Sequence, residues 1–234
     1  MEKAKAAADK GDAEAQFLVG KAYGRGEGVL KDDFKAVEYY RKSAEQGNAL
    51  AQDKLGWMLA RGQGAPKDIK EAAKWYEKAA EKGLPSAQAH LGEIYYFGDT
   101  GEKNYPEATK WLTKAAGAGD AWSQNILGVM YENGYGVPVN STEACNWYRK
   151  AAEQGDRKAQ SNLGRMYFAG SGVKQDKARA YQWLTLSAEQ GEVTADHYLT
   201  EYQAEIPPEQ IAQGTKFIED YRAAKANAGA ANKR

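Results

Sequence analysis

The chain has 234 residues, of which 42% are hydrophobic and 11% aromatic, so it holds enough apolar material for a packed core. Its 32 Lys and Arg balance 32 Asp and Glu, which leaves no net charge to attract nucleic acid or an anionic membrane surface. No segment reaches the roughly 18 consecutive apolar residues that a membrane-spanning helix needs. We therefore expect a folded protein with no nucleic-acid partner and no membrane insertion.

A 36-residue period runs through most of the chain. A glycine marks the end of each unit: Gly11, Gly47, Gly83, Gly119, Gly155 and Gly191. Other residues recur with the same spacing, such as the glutamines Gln16, Gln52, Gln88, Gln124 and Gln160 and the glycines Gly20, Gly56, Gly92, Gly128 and Gly164. A third recurrent position is aromatic: Tyr39, Trp75, Trp111, Trp147 and Trp183. Such self-similarity is the sequence signature of a repeat architecture.

Taken in chain order, the pattern predicts eight segments. Residues 1–11 match only the end of a second helix from a preceding repeat, and five full repeats follow at 12–47, 48–83, 84–119, 120–155 and 156–191. Residues 192–225 resemble a helix pair without the Leu-Gly motif of the repeats, and Pro207 and Pro208 open its last helix. We interpret this pair as a C-terminal cap, because an open end would expose the apolar face of the last repeat. Residues 226–234 are predicted to be a disordered tail.

Each repeat is predicted to contain two helices. In the third repeat, Ala87, Leu91 and Tyr95 form one helical stripe, and Ala108, Trp111 and Ala115 form another. A short polar residue recurs where the second helix should begin, and we interpret it as an N-cap: Asp32, Asp68, Asn104, Asn140 and Asp176. A glutamate three residues later completes a capping-box pattern in the middle repeats, at Glu71, Glu107 and Glu143.

These residues resemble the Sel-one-like repeat, a relative of the tetratricopeptide repeat, whose pattern reads roughly A-x-A-Q-x-x-L-G-x-x-Y, then G-x-G-V, then A-x-x-W-Y-x-K-A-A-E-Q-G. The segment from Trp122 to Gly155 fits almost throughout, although Ser123 replaces an alanine, and elsewhere Thr100 replaces a loop glycine. The resemblance implies an all-α fold, a right-handed superhelical solenoid of antiparallel helix pairs. It also implies an adaptor that binds other proteins.

The residues that could carry catalysis are few and far apart. His90 and His197 are the only histidines, and distant repeats of a solenoid do not touch. Cys145 is the only cysteine, so it can form neither an intrachain disulfide nor a cysteine zinc cluster, and its position favours a small packed thiol. We predict no enzyme activity, no catalytic residues, no metal and no cofactor. A structural spacer, or a hydrolase-like or cell-wall-ligand-binding protein, remains the alternative.

The variable positions of the first helices indicate where a partner would bind. At about 100° per residue they fall together, opposite the recurrent Ala, Leu, Gly and Tyr, and the resemblance implies that they line a concave surface. Trp57 and Trp122 lie among them, outside the recurrent tryptophan position. The predicted partner-binding residues are aromatic, apolar or charged: Phe17, Lys21, Arg25, Leu50, Trp57, Arg61, Glu93, Tyr96, Phe97, Trp122, Val129, Arg165 and Phe168. Alternatively, the rings fold onto neighbouring repeats and extend the core.

The sequence thus predicts a monomeric scaffold that binds a protein or a peptide. Many bacterial members of the family are exported, and the chain begins partway through a repeat. We therefore expect a periplasmic or secreted protein.

Overall fold

The computed structural model describes the backbone of residues 1–231 and the side chains of residues 1–228. About three quarters of these residues are helical and none of them forms a strand, and they fall into two compact units, Met1–Ala118 and Gly119–Arg234. Within the described part, no helix is both long enough and apolar enough to cross a membrane. Each unit is a stack of antiparallel helix pairs, as the period predicts.

The first unit contains a single short helix followed by three helix pairs. The helices are α1 (Glu2–Asp9), α2 (Ala13–Arg25), α3 (Asp33–Glu45), α4 (Ala49–Arg61), α5 (Ile69–Glu81), α6 (Pro85–Phe97) and α7 (Tyr105–Gly117). The even-numbered helices are the first helices of the repeats, and α3, α5 and α7 are the second helices.

The second unit contains two helix pairs and the C-terminal segment. Its helices are α8 (Ala121–Asn133), α9 (Ser141–Gln154), α10 (Arg157–Ala169), α11 (Lys177–Ala188), α12 (Val193–Tyr202) and α13 (Pro208–Ala231), with a short 3₁₀ turn at Gln203–Glu205. Helix α13 continues through Ala231, so the structure describes residues 226–231 as helical where the sequence predicts a disordered tail, and alanines there favour the helix. Residues 232–234 lie outside the described residues.

A glycine lets the two helices of each pair approach closely. The glycine of the first helix faces a large side chain of the second, in the pairs Gly20–Tyr40, Gly56–Tyr76, Gly92–Leu112, Gly128–Tyr148 and Gly164–Leu184. A Cβ atom at Gly92 would lie 2.6 Å from Leu112 Cγ and 3.2 Å from the Leu112 backbone nitrogen. Any larger residue there would therefore push the helices apart.

The predicted N-caps of the second helices are confirmed. In α5, for example, the Asp68 side chain accepts a hydrogen bond of 2.8 Å from the backbone N–H of Glu71. The capping box also predicts that the Glu71 carboxylate accepts from the Asp68 N–H, and this prediction is wrong. The Asp68 N–H donates to Leu59 O of the preceding helix, and the Glu71 carboxylate instead accepts from Arg41 and Trp75.

A buried glutamine connects each first helix to the preceding second helix within a unit. Gln52 donates to Ala44 O, and Gln88 donates to Ala80 O, both at 3.1 Å. In the second unit Gln160 makes the same bond to Ala152 O. These carbonyls belong to the last helical turn, where the helix itself supplies no donor.

The C-terminal helices pack on the last two repeats. Tyr221 of α13 meets the Trp183 ring edge-on, with 5.5 Å between the ring centroids, and its hydroxyl donates to Ala152 O at 3.3 Å. Leu186 of α11 and Ile218 of α13 are buried in the same apolar cluster. This packing supports the interpretation of the segment as a cap.

The close approach at Gly92 predicts that glycine-to-alanine substitutions at two positions change the stability of the protein differently. Gly92→Ala is expected to destabilise by about 1–3 kcal/mol through overpacking against Leu112. Gly117 is the matched control, because a Cβ atom there would have nothing within 4 Å. Gly117→Ala should be neutral or stabilise by up to about 1 kcal/mol, since alanine favours helix. Urea unfolding measures both, and equal effects would contradict the close-packing role of Gly92.

Candidate functional site

The variable positions of the first unit form one surface along α2, α4 and α6, which we call the first-helix face. Its central residues, Lys21, Trp57 and Glu93, are half-buried. Its outer residues, Arg25, Arg61 and Phe97, occupy the last turn of each helix and are exposed. This pattern is typical of a surface that can be covered by another molecule.

One of the predicted face positions is buried instead. Phe17 is only 9% exposed, and its equivalents Asp53 and Ala89 are 3% and 9% exposed. In the second unit the equivalent Asn125 accepts a hydrogen bond of 3.2 Å from Asn162 of the next repeat. Phe17 packs on Tyr40 of α3, with 5.8 Å between the ring centroids, so the expectation that Phe17 lies open on the face is wrong.

A cavity of about 460 Å³ opens between α2 and α4, and we call it the α2–α4 cavity. Phe17, Tyr40 and Met58 are its buried apolar residues, while Leu50 is 45% exposed. Its lining is Phe17, Lys21, Gly24, Arg25, Asp33, Tyr40, Leu50, Lys54, Trp57, Met58 and Gln63. It thus brings together five of the predicted partner-binding residues.

A second cavity of about 270 Å³ lies between α4 and α6, and we call it the α4–α6 cavity. Its lining is Trp57, Ala60, Arg61, Lys67, Ile69, Tyr76, His90, Glu93, Ile94 and Asp99. Trp57 lines both cavities and therefore stands between them. The Arg61 guanidinium stacks over its ring at 4.5 Å from the centroid, which orients the indole.

Two buried tyrosines supply polar atoms to these cavities. Burial raises the pKa of Tyr40 to about 12. Burial also raises the pKa of Tyr76 above its usual value, and the negative charges of Asp53 and Glu93 add to that shift. Both hydroxyls are therefore protonated at neutral pH and can donate hydrogen bonds. Donors, cations and apolar surface at this site suit non-covalent recognition.

Tyr96 and Phe97 form a separate aromatic pair near the end of α6. Their rings meet edge-on with 5.0 Å between the centroids, and Tyr96 lies 5.8 Å from the Tyr105 ring. Neither residue lines the two cavities of the first unit. The structure therefore places them on the same face as Trp57 but in a different local site.

The predicted residues of the second unit have their own contacts. Arg165 forms a 2.5 Å ion pair with Glu132, and Phe168 stacks on Tyr202 of α12 with 3.6 Å between the ring centroids. Val129 packs against the core cluster, and Trp122 is half-buried in α8. Phe168 and Val129 therefore fit the alternative interpretation, in which variable side chains pack on neighbouring helices and extend the core.

Sequence reasoning missed two residues of the face, Lys54 and His90. Each lines one of the cavities, and both occupy the same position of their repeats. That position varies strongly, with Leu18, Lys54, His90, Ile126 and Asn162 in successive repeats. It also lies four residues after the variable position of Leu50 and so belongs to the same helical stripe. The variation at this position could therefore have identified both residues from the sequence.

Comparisons with known proteins identify the repeats. The family model of the Sel1 repeat matches residues 13–48, 49–84, 85–120, 123–156 and 157–192. A search among curated proteins gave no match.

Two solved structures are similar over almost the whole chain. A protective antigen present in uropathogenic Escherichia coli strains is 36% identical, with a TM-score of 0.82. The match covers 98% of this chain and 49% of the antigen, so this chain spans about half the length of that protein. A Sel1 repeat protein from Oxalobacter formigenes is 35% identical, with a TM-score of 0.77, and the match covers 90% of this chain and 88% of that one. Sel1 repeat proteins are generally protein-interaction scaffolds, and their fold is typically non-catalytic.

Because Phe168 stacks on Tyr202, its truncation should lower the stability of the protein more than truncation of an exposed residue of the first-helix face. Phe168→Ala is expected to destabilise the second unit by about 1–3 kcal/mol, because it removes both buried area and the ring pair with Tyr202. Phe97 is the comparison, because it is 50% exposed on the first-helix face. Phe97→Ala should lower the melting temperature less, and the reverse order in thermal unfolding would refute the packing assignment of Phe168.

Proposed function

We propose that this chain, which belongs to the Sel1 repeat family, is a non-catalytic scaffold that binds a segment of a partner protein on its first-helix face. The bound segment is extended or helical. Trp57 is its central contact, and Lys21, Arg25, Leu50, Arg61 and Glu93 surround that contact.

The observation that carries the proposal is the position of Trp57 between two adjacent cavities. Tryptophan and arginine are the residue types that most often dominate binding energy at protein interfaces. Here the Arg61 guanidinium stacks on the Trp57 ring, so both groups are held in place before a partner arrives. Preorganisation of this kind lowers the entropy cost of binding.

The surroundings of Trp57 also favour binding over a purely structural role. A spacer needs only the packing between helices, which the recurrent positions provide. The first-helix face adds exposed Leu50 and two cavities beside this packing. Apolar cavities with a few charged groups at the edge are typical of binding sites.

The proposal centres on the first unit. Arg165 and Phe168 are not included, because the ion pair with Glu132 and the stack on Tyr202 already engage their side chains. Tyr96 and Phe97 stay predicted contacts for a longer partner segment, and Trp122 stays a predicted partner-binding residue of the second unit.

Thermal unfolding tests whether Trp57 is a binding residue or part of the core. Trp111 is only 4% exposed, and Trp111→Ala is expected to cost about 3–5 kcal/mol of stability. Trp57→Ala should cost clearly less, because its ring is half-buried at the edge of the cavities. Equal losses of melting temperature would assign Trp57 to the core and remove the main support for the site.

Affinity capture provides the matching test of binding. The wild-type chain, Trp57→Ala and Lys70→Glu serve as baits, and mass spectrometry identifies what each captures. Lys70 is the control because it is exposed and lines neither cavity. Loss of the specific partner with Trp57→Ala alone supports the proposal. A partner that all three baits retain equally would show that the first-helix face is not the binding surface.

A further inference from the structure

The α2–α4 cavity combines an apolar interior with a cationic edge. Phe17, Tyr40 and Met58 are buried within it, and Leu50 and Trp57 extend the apolar surface outward. Its volume of about 460 Å³ lies in the range of roughly 300–1,000 Å³ that is usual for ligand sites. An apolar side chain of a partner would therefore find a cavity of suitable size.

The charged groups of this cavity are mostly positive. Lys21, Arg25 and Lys54 line it, and Asp33 is its only carboxylate among the lining residues. Asp33 is already close to Lys31, at 3.5 Å, so its charge is partly compensated from outside the cavity.

The three cations retain the capacity to bind a carboxylate. Lys21 makes no hydrogen bond or ion pair within the part of the chain that the structure describes. Arg25 pairs with Glu27 at 3.3 Å, but both side chains are more than half exposed. Lys54 lies 3.7 Å from Asp53, beyond ordinary hydrogen-bond distance. The exposed Arg25–Glu27 pair is of the weak kind that can exchange partners, whereas Lys54 is 49% exposed beside the buried Asp53 carboxylate.

The neighbouring α4–α6 cavity does not share this charge. There Arg61 and Lys67 are matched by Glu93 and Asp99. The positive excess is thus a local property of the α2–α4 cavity and not of the chain, whose net charge is zero.

We infer that the α2–α4 cavity selects an acidic partner segment, in which an apolar side chain enters the cavity and adjacent carboxylates pair with Lys21, Arg25 and Lys54. This inference rests on the proposed function and names the chemistry of the partner. Burial of the apolar side chain supplies most of the affinity. The cations select the sequence and speed association, so binding weakens as salt rises.

Selection from a random peptide library tests the inference without a known partner. The immobilised full chain is panned with peptides displayed on phage at low salt, and peptides that also bind Trp57→Ala are removed. We expect the surviving peptides to be net acidic and to contain a Leu, Ile, Met or aromatic residue beside the carboxylates. Surviving peptides that are neutral or basic would overturn the acidic assignment while leaving the proposed function intact. If no peptide depends on Trp57, the proposed function itself fails.

Charge reversal then locates the contact. A selected acidic peptide is synthesised, and its affinity for wild type, Lys21→Glu, Lys54→Glu and the control Lys70→Glu is measured by fluorescence anisotropy. Each cavity variant should bind about tenfold more weakly at low salt, whereas the control should match wild type. The difference should shrink at high salt. Equal losses in all three variants, or no loss in the cavity variants, would overturn the assignment of the carboxylate contacts to this cavity.

Discussion

A buried hydrogen bond from a glutamine side chain joins each repeat to the one before it within a unit. Gln52 and Gln88 donate to Ala44 O and Ala80 O in the last turn of the preceding second helices, where the following loop glycines also donate. An unpaired polar group at a buried position costs about 1–3 kcal/mol, so this bond strongly favours one arrangement of successive helix pairs. In the first repeat Gln46 also donates to Gln16 Oε1 at 2.7 Å, whereas Lys82 takes that place in the second repeat. Because the second repeat lacks this donor, Gln52 Oε1 is buried without a hydrogen-bond partner.

The face follows from this constraint. The glutamine bonds and the close contacts of the first-helix glycines hold the helix pairs together. The remaining first-helix positions are not needed for this packing, so their residues can differ between repeats. Trp57 and Leu50 occupy two such positions, and the space between neighbouring first helices becomes the cavities that flank Trp57. Lys21, Arg25 and Lys54 then give one cavity its charge. The recurrent residues thus build the support, and the variable ones build the candidate site.

The sequence predicts the helix pairs, the N-caps and the close glycines, because each has a local cause that repeats every 36 residues. It does not predict which variable positions are open. Phe17 packs on Tyr40 of α3, and Phe168 stacks on Tyr202 from a segment outside the repeat pattern. Both outcomes depend on contacts between elements, which periodicity does not contain. Lys54, in contrast, could have been found from the variation of its position alone.

Urea unfolding of two α6 variants tests the division between supporting and free positions most directly. Gln88→Met keeps the size of the side chain but removes the donor of its hydrogen bond to Ala80 O, which still accepts from the Gly83 N–H, and it should lower the free energy of unfolding by about 0.5–1.5 kcal/mol. Glu93→Met changes a half-buried residue of the same helix that lines the α4–α6 cavity, and it should alter stability by less than about 0.5 kcal/mol. Equal effects of the two substitutions would contradict the account.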